Sequence, residues 1–344
     1  YGDHRDLHSF PTRRSSDLLP AVVGASAPYQ NTADMRTRGW ELSVNWRDQI
    51  GKVGYRVGFN LSDSQSKIVK YNSNESGILT SALSNGSTFW NYYEGKDLGE
   101  IWGYEYDGFY TVDDFTDTSS WKLKEGVPSI DGYNPRPGDV KFKNLMDDDR
   151  GTNMISSGDN TVSNPGDRKV IGNNTPRYLY GITLGANFKG FDLNVFMQGT
   201  GKRDAWIANN LKFPLYSDFK FIALYKDLGN YWKPVDAANG DYTAANPNAE
   251  FPRIYGNYGN QGSNYRQSDK YLSDASYFRI KNVTLSYTFP KAWITKASLS
   301  QLKAFVSIEN LATFSSLPKG IDPETLSWNY PAFRTVSFGL NVTL

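Results

Sequence analysis

A two-residue alternation returns again and again along this chain, and it constrains the fold more than any other feature. Trp40, Leu42, Val44 and Trp46 are apolar, with polar Glu41, Ser43, Asn45 and Arg47 between them. After a break at Gly51, Val53, Tyr55, Val57, Phe59 and Leu61 alternate with Gly54, Arg56, Gly58, Asn60 and Ser62. The pattern recurs at Tyr178, Tyr180, Ile182, Leu184, Ala186 and Phe188, then at Phe191, Leu193, Val195 and Met197. Later runs are Val283, Leu285, Tyr287 and Phe289; Leu302, Ala304, Val306 and Ile308; and Val336, Phe338, Leu340, Val342 and Leu344. Successive side chains of a strand point to opposite faces, so each run predicts a strand with one apolar face and one polar or glycine face. Lys189-Gly190, lying between two runs, is a hairpin signal.

The connections alternate too. Short ones lie at 48–52, 189–190 and 290–301; long polar ones lie at 63–98, 146–176, 202–276 and 311–334. Soluble domains seldom carry several irregular connections longer than about 12–15 residues. Outer-membrane barrels join their strands by short periplasmic turns and long outer loops. The expectation is therefore an all-β chain forming part of an antiparallel transmembrane β-barrel with long extracellular loops. With the short turns periplasmic, 53–62 runs outward and 178–188 inward. An inward strand at 101–110 and an outward one at 139–145 then fit between them, for about nine strands in all. Trp40 and Trp46 stand roughly 20 Å apart on one face, near the height of a lipid-facing band with aromatics at its borders. Phe188 and Phe191 flank the tight turn, where an inner girdle belongs. A β-sandwich also turns aromatics inward, but it needs turn signals every 8–12 residues or so.

Composition narrows the function classes. The 344 residues include no cysteine, so disulfides, zinc-thiolate sites and a Cys nucleophile are excluded. A formal net charge of +1 argues against a nucleic-acid partner. Mean hydropathy is −0.56 and apolar runs last only a few residues, far short of the roughly 20 needed for a membrane helix. Aromatics make up 15% of the chain and glycine is frequent, as suits strands. Residues 1–18 do not fit this pattern. Arg13-Arg14 followed by 18–25 and Ala25-Ser26-Ala27 imitates a twin-arginine leader, but Asp17 and Pro20 interrupt it. The stretch from His8 to Leu18 resembles translated adapter sequence. The expected division is a non-native head at 1–18 and barrel sequence over 19–344, with the true N-terminus upstream.

Two sets of motifs point to a family. Ser337, Gly339, Val342 and Leu344 end the chain as polar-x-Gly-x-x-apolar-x-apolar. This resembles the C-terminal β-signal read by the barrel-assembly machinery, with Val and Leu in place of the usual aromatics. An ordered series of blocks then resembles the SusC/RagA family of TonB-dependent outer-membrane transporters: Arg38-Gly39-Trp40-Glu41-Leu42, Trp102-Gly103-Tyr104, Asp107-Gly108-Phe109-Tyr110 and Pro137-Gly138-Asp139-Val140-Lys141-Phe142. The series continues with Asp167 to Gly172, Tyr231-Trp232-Lys233-Pro234, Phe251-Pro252-Arg253, Ala275 to Val283, Asn310-Leu311 and Ile321-Asp322-Pro323-Glu324. Transporters of this kind close a 22-stranded barrel around a plug. The resemblance thus implies the C-terminal portion of such a barrel, with the plug upstream and two strand edges exposed.

The resemblance implies uptake of oligomeric nutrients, glycans or peptides. The implied partners are a SusD-like surface lipoprotein, the TonB complex (reached through the N-terminal part) and outer-membrane lipid, and the implied location is the bacterial outer membrane. No enzyme activity, cofactor or metal is expected. His4 and His8 both lie in the head. The carboxylate runs at 113–114 and 147–149 read as loop acids. The calcium-loop-like run around Asn144–Arg150 has broken spacing. Gly199-Thr200-Gly201-Lys202 lacks P-loop spacing and reads as the close of a strand. The candidate substrate contacts are loop aromatics set among Asn, Asp and Ser: Trp90, Tyr92, Tyr93, Trp206, Tyr255 and Tyr258. Flat rings beside amides suit sugars or extended peptides; the same rings also suit loops packing on themselves or against a partner lid. The alternative function is a secreted β-rich glycan-binding or adhesin module, and a third is a β-rich hydrolase. An importer needs the apolar faces on the outside of the sheet, and a secreted module needs them inside a core.

Overall fold

A computed structural model describes residues 11–12, 30–31, 33–82, 88–130, 132–146, 154–207, 229–254, 263–295, 298–326 and 332–344. Seven strands pair into one antiparallel sheet: β1 (Ala33–Ile50), β2 (Val53–Tyr71), β3 (Arg177–Phe188), β4 (Phe191–Lys202), β5 (Tyr277–Thr288), β6 (Gln301–Ser315) and β7 (Thr335–Thr343). Spatial order follows chain order, with β1 and β7 at the edges. Each expected alternating run lies in one of these strands, save that Phe289 and Leu344 fall one residue beyond the ends of β5 and β7. The β3–β4 turn has Lys189 at φ 46° and Gly190 at φ 91°, the two positive values that a type I′ hairpin requires. Phe188 therefore faces Phe191 across the ladder.

The cross-strand register sorts the side chains into two continuous faces. Leu184 pairs with Val57 and Val195, and Val195 with Val283. Leu285 pairs with Val306, and Val306 with Phe338. This apolar face is left open: Leu42 is 46% exposed, Trp46 60% and Leu340 66%. Val57, Leu184, Phe188, Phe191, Leu193 and Leu285 are exposed as well. Even half-covered, each such side chain leaves roughly 1 kcal/mol of burial unrealised. Summed over seven strands, that rivals the whole net stability of a domain, roughly 5–15 kcal/mol. Water is therefore the wrong solvent for this face.

Its borders are aromatic. Near the tight turns stand Trp46, Tyr55, Phe188, Phe191, Tyr287, Phe289 and Trp293. Trp46 Nε1 donates to the Tyr55 hydroxyl, and the Phe191 and Tyr287 rings lie 4.6 Å apart. Toward the other strand ends, Tyr180, Phe278 and Phe314 stack in a row at 6.5 and 6.0 Å. Tyr180 and Phe188 are eight residues apart, about 26 Å of strand, which matches an apolar band roughly 25 Å tall between two aromatic girdles.

The opposite face is polar, and glycines make room for long side chains. A Cβ on Gly181 would lie 2.4 Å from Asn60 Oδ1, and one on Gly185 2.5 Å from Arg56 Nε. Arg56 also donates to Asn194. Asn282, Thr284 and Ser307 bond to one another at 2.8–3.0 Å.

One expectation is corrected. The segments 101–110 and 139–145 are not spanning strands between β2 and β3, because β2 pairs directly with β3, Leu184 opposite Val57. Glu100–Tyr104 pairs instead with Arg168–Asn173, and Tyr106–Phe109 with Val140–Phe142. Ile101, Trp102, Gly103 and Tyr104 are all buried, so both faces of this strand are covered and it cannot present one face to lipid.

These short strands belong to a second compact unit, built mainly from Ser66–Asn173 and Trp206–Leu272. The sheet makes up the other unit, from Thr37–Gln65, Asn174–Ala205 and Ser273–Leu344. The second unit has small cores of its own. Tyr104, Ile130, Val140, Phe142 and Ile155 form one, and Leu79, Tyr93 and Trp102 another.

Candidate functional site: an aromatic and cationic cleft in the loop unit

The motif blocks that set this sequence apart are joints of the loop unit. Asp139 is fully buried; it accepts the Arg136 N–H at 2.8 Å and the Asn264 amide at 3.1 Å. Asn264 in turn accepts the Val140 N–H at 2.8 Å. Tyr110 gives its backbone N–H to Asp139 O and accepts the Gly138 N–H, both at 2.8 Å. Asp167, also fully buried, accepts the N–H groups of Leu145, Met146 and Ser156. Buried carboxylates supplied with N–H donors hold loops in one arrangement.

One of these joints shapes a cleft. Gly138 has φ 89°, which favours glycine, and its missing side chain leaves room for Trp232: a Cβ there would lie 2.3 Å from the indole. Trp232 is buried and donates its backbone N–H to Phe251 O at 2.9 Å, while the Arg253 backbone N–H reaches Gly138 O at 2.9 Å. The Pro-Gly-Asp, Tyr-Trp-Lys-Pro and Phe-Pro-Arg blocks thereby meet. Beside them opens a cavity of ≈ 550 Å³, lined among others by Trp121, Arg136, Tyr231, Lys233, Tyr242 and Arg253. Tyr242 meets Trp121 edge-on at 4.8 Å. The Arg136 guanidinium lies 5.8 Å from the Trp121 ring and the Lys233 ammonium 4.5 Å from the Tyr231 ring. These are cation–π distances.

The loop aromatics expected to touch substrate are placed as follows. Tyr93 is buried and accepts from Trp102 Nε1 at 3.0 Å. Trp90 packs against the same cluster, bonds Gln267 at 3.2 Å and carries the Arg168 guanidinium over its ring. Trp206 packs against Tyr271 and Tyr265. Tyr92 is exposed and meets Tyr71 edge-on at 6.2 Å. Tyr255 and Tyr258 lie outside the described residues. The structure thus gathers Trp90 and Tyr93 in one core and leaves Tyr92 open. It assembles a cleft whose Trp121, Arg136 and Tyr242 were not singled out from sequence. The available signal was the pair of blocks at 231–234 and 251–253, noted only as marks of resemblance.

Ionisable groups in this unit take their character from burial and hydrogen bonds. Burial of Lys96 pulls its ammonium from the ordinary 10.5 down to about 8; it donates to Asn91 O at 2.8 Å and faces the Tyr92 and Tyr93 rings. Hydrogen bonds from Lys143 and then Lys169 hold Glu105 down at about 2. Asp114 accepts from Thr111 N at 2.7 Å and meets Lys141 at 3.4 Å, so it is a structural acid. No group of three or more potential metal-ligating side chains exists among the described residues. Residues 147–150 lie outside them.

A second joint belongs to the sheet unit. Arg279, 2% exposed, donates from Nη2 to both Asp322 oxygens at 2.9 Å, and from Nε to Thr313 at 2.8 Å. Its Nη1 lies 2.9 Å from Glu324. Lys281 and Gln198 also bond Glu324. The blocks at 276–283 and 321–324 are thus two halves of one ionic clamp, which fastens the β6–β7 connection to the sheet.

An open antiparallel sheet with a lipid-type face between two aromatic girdles is part of the wall of a membrane-spanning β-barrel. No helix among the described residues is long and apolar enough to cross a membrane, which says nothing of strands. No family model matches the chain. Relatives specify the kind of barrel. The chain is 28% identical to TonB-dependent receptor P3 of Formosa agariphila, over 96% of this chain and 31% of that one. It is 24% identical to the TonB-dependent receptor SusC of Bacteroides thetaiotaomicron, over 96% and 29%. The RagAB peptide importer in its open-open state shares the fold at a TM-score of 0.62 and 18% identity, over 98% of this chain and 31% of that one. The chain therefore resembles SusC/RagA-type TonB-dependent receptors over nearly all its length, and it spans about a third of the length of the relatives it matches.

Proposed function

We propose that this chain is part of the barrel of a TonB-dependent importer in a bacterial outer membrane, and that it has no enzymatic role. The observation that carries the reading is the two-faced sheet, with its apolar face open between aromatic girdles and its polar face filled by Arg56, Asn60, Asn194 and Asn282. In this role the apolar face meets lipid tails and the polar face lines the route of an oligomeric nutrient, a glycan or a peptide. A SusD-like lipoprotein covers the outer side, and the TonB complex supplies the force. Edge strands β1 and β7 pair with further barrel strands, since lipid cannot satisfy open backbone groups. Ser337, Gly339, Val342 and Leu344 serve as the assembly signal, and the exposed Tyr92 is a point of contact for substrate or lipoprotein.

The test is uptake of fluorescently tagged oligosaccharides and peptides by cells that carry or lack the protein. The reading expects uptake that needs the protein and stops when TonB is removed. Uptake indifferent to TonB overturns it.

A further inference from the structure

The cleft at Trp121, Arg136, Tyr231, Lys233, Tyr242 and Arg253 has a chemistry that general nutrient import does not require. Among the described residues three cations and no carboxylate line it, in a chain whose net charge is only +1. Among the described residues neither Arg136 nor Lys233 meets a carboxylate. Asp139, three residues after Arg136 in the chain, faces the Arg136 N–H and the Asn264 amide. Asp236, beyond Pro234, is occupied by the Asn239 N–H and amide at 3.2 and 2.6 Å. A positive field with aromatic walls attracts an anion that also has a flat apolar surface. Guanidinium groups suit carboxylate and sulfate oxygens in particular.

The backbone around the cleft favours a sugar over a peptide. An extended peptide binds by pairing its main chain with an open strand edge. Here the Trp232 N–H is given to Phe251 O, the Lys233 N–H to Asn246 Oδ1, and the Arg253 N–H to Gly138 O; Lys233 O is taken by the Ala245 N–H. With these backbone groups taken, the cleft offers a ligand chiefly its side chains: rings for the C–H face of a pyranose and cations for its acid group. The volume of ≈ 550 Å³ falls within the range of small-ligand pockets, roughly 300–1,000 Å³.

We propose that this cleft is a subsite for an anionic sugar residue, a carboxylated or sulfated ring of an oligosaccharide. The ring rests against Trp121, Tyr231 and Tyr242, and its acid group faces Arg136, Lys233 and Arg253. The proposal rests on the importer reading and names the substrate class for it.

Calorimetric titration of the purified protein in detergent tests it with four probes: tetragalacturonate, its methyl ester, a sulfated galactose tetramer and tetraglutamate. The expected result is that tetragalacturonate or the sulfated tetramer binds about tenfold or more tightly than the ester, with affinity falling as salt rises. Whichever of the two binds identifies the acid group. Arg136→Gln and the surface variant Lys233→Gln should each weaken that binding about tenfold while keeping the parent's circular dichroism and melting temperature. Equal binding of the ester, equal binding of tetraglutamate, or affinity unchanged in both variants overturns the subsite. Uptake that still depends on TonB would then leave the importer reading standing. Binding in the cleft with TonB-independent uptake would remove the importer reading and keep the subsite.

Discussion

Arg279 and Asp322 show how single residues carry this fold. Both are nearly buried, so removing one partner strands a charge. Arg279→Gln should cost roughly 3–5 kcal/mol, read as loss of hydrogen-exchange protection across 313–326. Burial alone would raise the Asp322 carboxyl, but the Glu324 N–H and Arg279 outweigh it and its pKa is lowered. Stability from a lowered carboxyl is complete above its unfolded value and disappears as pH falls through the folded one. Protection of 313–326 should therefore hold at neutral pH and fade below about pH 4; Asp322→Asn should start weaker and show no such step. Lys96 behaves in the opposite direction. Its folded pKa of about 8 lies below its ordinary 10.5, so the unfolded chain binds the proton more readily between those values. Stability then rises with pH across that window. Relative to Lys96→Met, the parent should gain melting temperature from pH 8 to 10.5; a constant difference would contradict the burial.

At the scale of elements, β7 is held by more than its ladder. A Cβ on Gly339 would lie 2.2 Å from the Phe305 ring, so the ring of β6 lies over the glycine of β7. This is aromatic covering of a strand glycine. Gly339→Ala should lower the yield of folded barrel in outer membranes, and adding Phe305→Ala should restore part of it. An equal deficit in both would show that the ring is not the obstacle.

The seven sheet strands were legible because one solvent boundary runs along each of them, which writes period two into the sequence. The pieces at 100–104 and 140–142 were misread because they lie inside a small core with both faces covered. There alternation loses its meaning, and sequence spacing does not say which partner a short strand finds. The cleft was less legible still. Trp121, Arg136 and Tyr242 come from three separate stretches, brought together by Gly138 yielding its side-chain space to Trp232. Nothing local to any of the three marks them.

For the whole molecule, the central claim is that the apolar face of the sheet is solvated by lipid. The chain has no cysteine, so an introduced one takes a spin label alone. Labels at Leu42, Leu184, Leu285 and Leu340 should collide with oxygen, which concentrates in the bilayer. Labels at Asn45, Thr183, Thr284 and Asn341 should collide with a water-soluble nickel chelate instead. Measured in the protein reconstituted in outer-membrane lipid, the account predicts oxygen and nickel accessibilities that are out of phase between the two faces of each of these four strands. If the first four labels are shielded from both reagents, as in a packed interior, the membrane wall is contradicted.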